Sequence, residues 1–270
     1  MTLAVLARRL LVALVALVPA LAEAGFAIVD EAGHQTLVSR GRLKIAPREG
    51  GVTIMLDVGR ARMWVADPGR RVYWEGTIEQ YCQEMRGAMS DAMAEMERHM
   101  AEQLKNMSPA QREQMEQMMK RMGRGGGAEA PAGPPPEVTV DRTNETDRIA
   151  GLSARKYRVV SNGQPYEEVW LTTDAALLRE LDAGRAPDTL GRMSACMDAR
   201  VAAQAPEATP EYRKLYAEGW PLKFVSLADP SRPGITVTRV EQRDIPEADF
   251  TLPAGYRAAP LMEVFGTRGR

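Results

Sequence analysis

The sequence predicts an α+β fold: a single curved antiparallel sheet with a Met-rich helical insertion and further helices covering its concave face. Three observations predict it. Short segments of alternating apolar and polar residues, punctuated by turn residues, fill 34–76 and resume after 137. Between them, Glu84 to Met122 carries ten of the chain's 16 methionines, at helical spacing. A flexible Gly run followed by a stiff Pro run, Gly123 to Pro136, then returns the chain to strand. The resulting organisation is a signal peptide at 1–24, N-terminal strands at 25–76 and the insertion at 77–122. A linker at 123–136, C-terminal strands at 137–258 with helices over 174–218, and a tail at 259–270 complete it.

The first residues have the three parts of a secretory signal. Arg8 and Arg9 give a positive start, Leu10 to Val18 an apolar run, and Ala20-Leu21-Ala22 and Ala22-Glu23-Ala24 two small-x-small cleavage sites. The run is short for a membrane span. Its removal takes the formal charge from −1 to −2, since two Arg and one Glu leave. The expected location is the periplasm or the exterior, with no span left after cleavage. A near-neutral chain does not suit electrostatic binding to nucleic acid.

HQTLVSR, GRLKIAP, GVTIMLDVG, ARMWVAD and RRVYWEG read as strands. Leu43 and Ile45 alternate with Arg42 and Lys44, and Val52, Ile54 and Leu56 with Thr53, Met55 and Asp57. Gly50-Gly51, Val58-Gly59-Arg60 and Asp67-Pro68-Gly69 supply turn chemistry. The pattern is a meander with one buried face.

At 100° per residue, Met85, Met89, Met93, Met96 and Met100 share an arc of roughly 80°, and Met107 returns to its middle. Ser108-Pro109 is a cap and a first residue for a second helix bearing Met115, Met118, Met119 and Met122. Five methionines left in water would forgo on the order of 10 kcal/mol of burial, so the stripe is expected to be covered. Three covers fit: the protein's own sheet or partner helix, a greasy ligand or unfolded client that suits adaptable Met, and a soft metal at Met96, His99 and Met100.

EVTVDRT, ARKYRVVSNG and QPYEEVWLTT resume the strands, with Asn162-Gly163 as a hairpin turn. Asp174 caps a helix over AALLRELDAG, and Thr209-Pro210-Glu211 starts another. WPLKFVSLAD and GITVTRVEQRDI close as strands. Two cysteines in an oxidising compartment are more often paired than free. A Cys82–Cys196 bridge would tie the two helical parts together; two buried thiols are the alternative.

These residues carry a resemblance. GRLKI through GVTIMLDVGRARMWVADPGRRVYWEG, then EVTVDRTNETDRIAGLSARKYRVVSNGQPYEEVWLT and the closing IPEADFTLPAGY, resemble the bacterial exported family described as domain of unknown function 4412. Ile149-Ala150-Gly151 leading to Tyr157 and Val159, and the final F-x-LPAGY, are its most specific parts. Such proteins resemble the periplasmic lipoprotein carriers LolA and LolB. That resemblance implies an open, incomplete β-barrel under a helical lid, and assigns the Met helices to the lid. Separately, Ser108-Pro109-Ala110-Gln111-Arg112 resembles the short Leu-Thr-x-x-Gln motif of small helical periplasmic stress chaperones.

The residues offer no catalytic set. The chain has two histidines, His34 in a turn and His99 beside the Met arc, and both read as surface residues. Neither a phosphate-binding Gly loop nor a zinc-spaced Cys/His group is present. Glu167 and Glu168 alternate on a strand and are expected to be solvated on opposite faces. Trp64, Trp74 and Trp170 are expected to line a core or cavity together with the Met arc. The expectation is a non-enzymatic exported protein, with no cofactor, holding a lipid-like or acyl ligand between sheet and lid. A chaperone-like interaction module and a Cu(I)/Ag(I) binder are the alternatives.

Overall fold

The computed structural model describes residues 24–106, 134–186, 189, 192, 206–231 and 234–266. The expected signal segment up to 23, Met107, the expected second Met helix, most of the expected linker and Cys196 lie outside the described residues.

Among the described residues, twelve strands form one sheet. They are β1 (Ala24–Asp30), β2 (Gln35–Ser39), β3 (Arg42–Ala46), β4 (Thr53–Asp57), β5 (Arg62–Asp67), β6 (Val72–Thr77), β7 (Val138–Ile149), β8 (Leu152–Ser161), β9 (Gln164–Thr172), β10 (Trp220–Ser226), β11 (Ile235–Asp244) and β12 (Arg257–Ala258). Their order is β12-β6-β5-β4-β3-β2-β1-β11-β10-β9-β8-β7. Two meanders, β1–β6 and β7–β11, are thus joined where β1 pairs with β11. The sheet is antiparallel except for two-residue β12, which lies parallel to β6. Its two ends do not pair, so it is open and not a closed barrel.

Local chemistry explains the meanders. Asn162-Gly163 and Ala150-Gly151 each put two consecutive residues at positive φ (50° and 73°, 49° and 89°). This mirror-image turn matches the right-handed twist of the strands it joins. The Ile149-Ala150-Gly151 segment is therefore the β7–β8 hairpin corner.

Among the described residues, α-helices with defined bounds are α1 (Ile78–Asn106), α2 (Ala175–Glu180), α3 (Pro210–Ala217) and α4 (Leu261–Val264). α1 starts with a reciprocal cap. The Thr77 amide donates to Gln80 Oε1 at 2.8 Å, and the Gln80 amide to Thr77 Oγ1 at 3.2 Å. Asp174 caps α2 through the Ala176 and Leu177 amides at 3.1 and 2.9 Å. Thr209 accepts from the Tyr212 amide, with Pro210 opening α3. α2 is shorter than predicted, because Leu181 ends it and Asp182 takes positive φ.

The largest core cluster joins both meanders to the helices. Val38, Leu43, Leu56, Met63 and Val65 meet Ile78 and Cys82 of α1, Leu177 of α2, and Leu261 and Val264 of α4. On the opposite face, Ile245 and Phe250 cover Ala27 and Leu37. Arg42 sits 5.0 Å from the Phe250 ring centroid, and Lys44 Nζ donates to the Asp249 carbonyl at 2.8 Å.

Candidate functional site

Residues paired across a ladder point to the same face. Registers therefore trace two cross-sheet rows on the helix-bearing face. One runs Gln242, Phe26, Val38, Leu43, Leu56, Met63, Gly76. From Phe26 to Met63 it is buried without interruption. The neighbouring row runs Val240, Ile28, Thr36, Ile45, Ile54, Val65, Trp74. Its ends are covered, with Ile28, Val65 and Trp74 buried. Its middle is open: Ile45 is 42% exposed, and Thr36 and Ile54 are half-buried. Val52, next to this gap in sequence, is half-buried against the same core. The result is an apolar gap in the helical cover at Thr36, Ile45 and Ile54, closed on one side by buried Val65 and Trp74.

Trp74 is also where α1 is rooted. Its indole Nε1 donates to Glu84 Oε1 at 2.7 Å, and the Leu261 amide donates to Glu84 Oε2 at 3.3 Å. One carboxylate thus holds sheet, α1 and α4 together. Tyr81 meets the Trp74 ring edge-on at 5.9 Å, and burial pushes its phenol above the ordinary range. Ile78 and Cys82 are buried, and Met85 packs against the core. The Glu79 carboxyl is held below its usual range, first by the backbone amide at the helix start, then by Thr77 and Arg192.

Beyond Met85 the helix leaves the body. From Arg86 to Asn106 it runs about 30 Å. Met89, Met96 and Met100 are 41%, 58% and 40% exposed. At these three positions the stripe does not pack on the sheet. The cover comes from α2, α4 and the first two turns of α1, and Met89, Met96 and Met100 stand exposed. The stripe's narrow arc suits a helix held at one end, with too little apolar width to lie on a sheet.

The tryptophans do not form one site. Register pairs Met55 with Trp64 and Trp64 with Glu75, on the face opposite Trp74. Trp64 Nε1 donates to Glu75 Oε2 at 2.8 Å. Trp170 pairs with Lys156 and Lys223, whose ammonium groups lie 5.3 and 4.5 Å from its ring centroid. Of the described members of the predicted set, Trp74, Met85 and Trp170 adjoin the main core cluster, while Trp64 lies on the opposite face.

The expected solvation of Glu167 is also corrected. Glu168 pairs with Lys156 and Arg158 at 2.9 and 3.3 Å, but Glu167 is only 2% exposed. Tyr216 donates to Glu167 Oε1 at 3.4 Å, and the Tyr212 and Tyr216 hydroxyls are 3.4 Å apart. Burial drives both phenols far above the ordinary tyrosine range, helped by the Glu167 charge. The phenols stay protonated at neutral pH, so this cluster fastens α3 to β9. Period-2 alternation predicted the opposite faces but not that α3 would cover one of them. Among the described residues, no three His, Cys, Asp or Glu side chains converge on a metal position. Nor is any helix among them long and apolar enough to cross a membrane.

The family model described as domain of unknown function (DUF4412) matches residues 78–256. The chain belongs to this family. Within the DUF4412 match fall α1, β7–β11, α2 and α3, whereas β1–β6 precede it. The apolar gap at Thr36, Ile45 and Ile54 therefore lies on strands outside the matched region, while the helix rooted at Trp74 opens it. No curated protein matches the chain. Two solved structures of PNGF-II, in C2 and P21 space groups, are similar at 8% and 10% identity with TM-scores of 0.35 and 0.34. They match 90% and 87% of this chain, which spans only 32% and 30% of theirs.

Proposed function

We propose that this DUF4412 protein is an exported, non-enzymatic binding protein that holds a hydrophobic, lipid-like ligand on the helix-bearing face of its sheet. The observation that carries the reading is the row from Val240 to Trp74, apolar except at Thr36 and open in its middle. An acyl chain laid along Ile45 and Ile54 would complete the cover. The resemblance to LolA-like carriers fits this use of an open sheet, with one change. α1 contributes a wall at Trp74 rather than a lid.

The test is binding of an environment-sensitive apolar dye and of a fatty acid to the mature protein. Ile45→Gln should weaken both about tenfold, the loss of roughly 1.4 kcal/mol of apolar contact. Because Ile45 is exposed, the variant should fold as the parent does. Unchanged binding in Ile45→Gln would sink the reading.

The exposed outer stripe of α1 favours a second reading, docking of an apolar protein client on Met89, Met96 and Met100. Suppression of a client's aggregation that survives Ile45→Gln but fails in Met89/Met96/Met100→Gln would support it.

Two covalent features belong to the same proposal. Cys82 is buried at the root of α1, with Sγ 3.7 Å from the Arg192 carbonyl, and Arg192 pairs with Glu79 at 3.0 Å. This supports a Cys82–Cys196 bridge worth about 4–5 kcal/mol by loop entropy. Alkylation without reductant should label no thiol; two labelled cysteines would exclude the bridge. Ala24 pairs with Asp244 in the sheet, which favours cleavage after Ala22 over cleavage after Ala24. Sequencing of the exported protein should then begin at Glu23.

A further inference from the structure

We propose that Met96, His99 and Met100 form a binding site for a soft monovalent cation, Cu(I) or Ag(I), on the outer length of α1. The proposal is independent of the apolar row on the sheet. At spacings of three and four residues the three side chains stand on one face, within a single turn. Two thioethers and an imidazole are neutral, soft-to-borderline donors, a set that favours Cu(I) over hard or divalent ions.

All three donors are accessible. Met96 and Met100 are the exposed methionines described above, and the His99 side chain is 69% exposed. His99 Nε2 lies 3.8 Å from Glu95 Oε1. At this distance the carboxylate is a charge neighbour of the ring and not a hydrogen-bonded partner, and the other ring nitrogen stays available to an ion. Glu95 thus places a negative charge beside the site. Arg98, the nearby cation, turns back to the Ala94 carbonyl at 3.3 Å.

Composition points the same way. Between Glu84 and Ala101 the stripe is built from Met and Ala, with no Leu, Ile or Val. Leu is as good a helix former as Met and would serve any purely apolar contact. Replacement of Met by Leu therefore separates the chemistries: it keeps the apolar surface and removes the thioether.

The experiment is competition for Cu(I) between the full mature protein and a colorimetric Cu(I) chelator under reductant, repeated with Ag(I). Met96→Leu/Met100→Leu should weaken binding by about tenfold or more, and His99→Gln by a similar factor. Glu95→Gln should weaken it less, and apolar-dye binding should be unchanged in all of these variants. Two results would each overturn the proposal: no competition by the native protein, or equal Cu(I) affinity in native protein and Met96→Leu/Met100→Leu. Circular dichroism of the double variant confirms that the helix is intact.

Discussion

The two lengths of α1 share a sequence pattern and have opposite environments. Up to Met85 the helix is fixed by apolar contact and by a carboxylate shared between Trp74 and the start of α4. From Arg86 onward the same methionine spacing continues, and Met89, Met96 and Met100 stand in water. Periodicity therefore establishes a helix and its face, but not what the face meets. What separates the lengths is the supply of larger or polar anchors. Ile78, Tyr81, Cys82 and Glu84 all lie in the first two turns.

The comparison breaks most sharply at Ile78. Ile78→Ala should cost about 2–5 kcal/mol in urea unfolding, since it leaves a cavity at a side chain only 1% exposed. Destabilisation below 1 kcal/mol would mean that the root is not the anchor. Next comes Glu84→Ala, which strands the Trp74 indole N–H and the Leu261 amide and should cost about 1–3 kcal/mol. Limited proteolysis should then release the C-terminal segment containing α4 before the sheet opens.

α3 sharpens the contrast through pH. Its Tyr212 and Tyr216 phenols titrate higher in the fold than in the unfolded chain. A raised phenol stabilises the fold fully below the unfolded value near pH 10, and that contribution is lost as pH rises above it. Stability measured by denaturant between pH 9 and 11 should fall, and Tyr216→Phe should flatten the decline. The smallest effect belongs to the outer length. Met96→Ala should shift stability by no more than about 0.5 kcal/mol, as for a solvated surface residue.

Much of the fold was legible because turn chemistry is local. Asn162-Gly163, Asp174 and Thr209-Pro210 each predict the feature the structure contains. Strand β1 was not singled out, since AGFAIVD directly follows the signal-like run and lacks clear alternation. The Thr77-x-x-Gln80 capping box was a readable signal for the start of α1. The candidate site was much less legible. The gap at Ile45 depends on which rows the helices reach, a tertiary property. The burial of Glu167 likewise depends on α3, whose landing place no local pattern encodes.

The seam between β1 and β11 has a kinetic consequence. Every other antiparallel neighbour among β1–β6 and among β7–β11 is the next strand in the chain, and each pair closes over a short turn or loop except β9–β10, which spans α2 and α3. At the seam, Thr238 Oγ1 donates to the Val29 carbonyl across 209 residues of chain. Closing so long a loop is the slow step that contact order penalises. The two half-sheets should thus assemble early and separately, with an unpaired edge on β1 until β11 arrives. In a chain delivered amino terminus first, that edge needs protection until β11 follows.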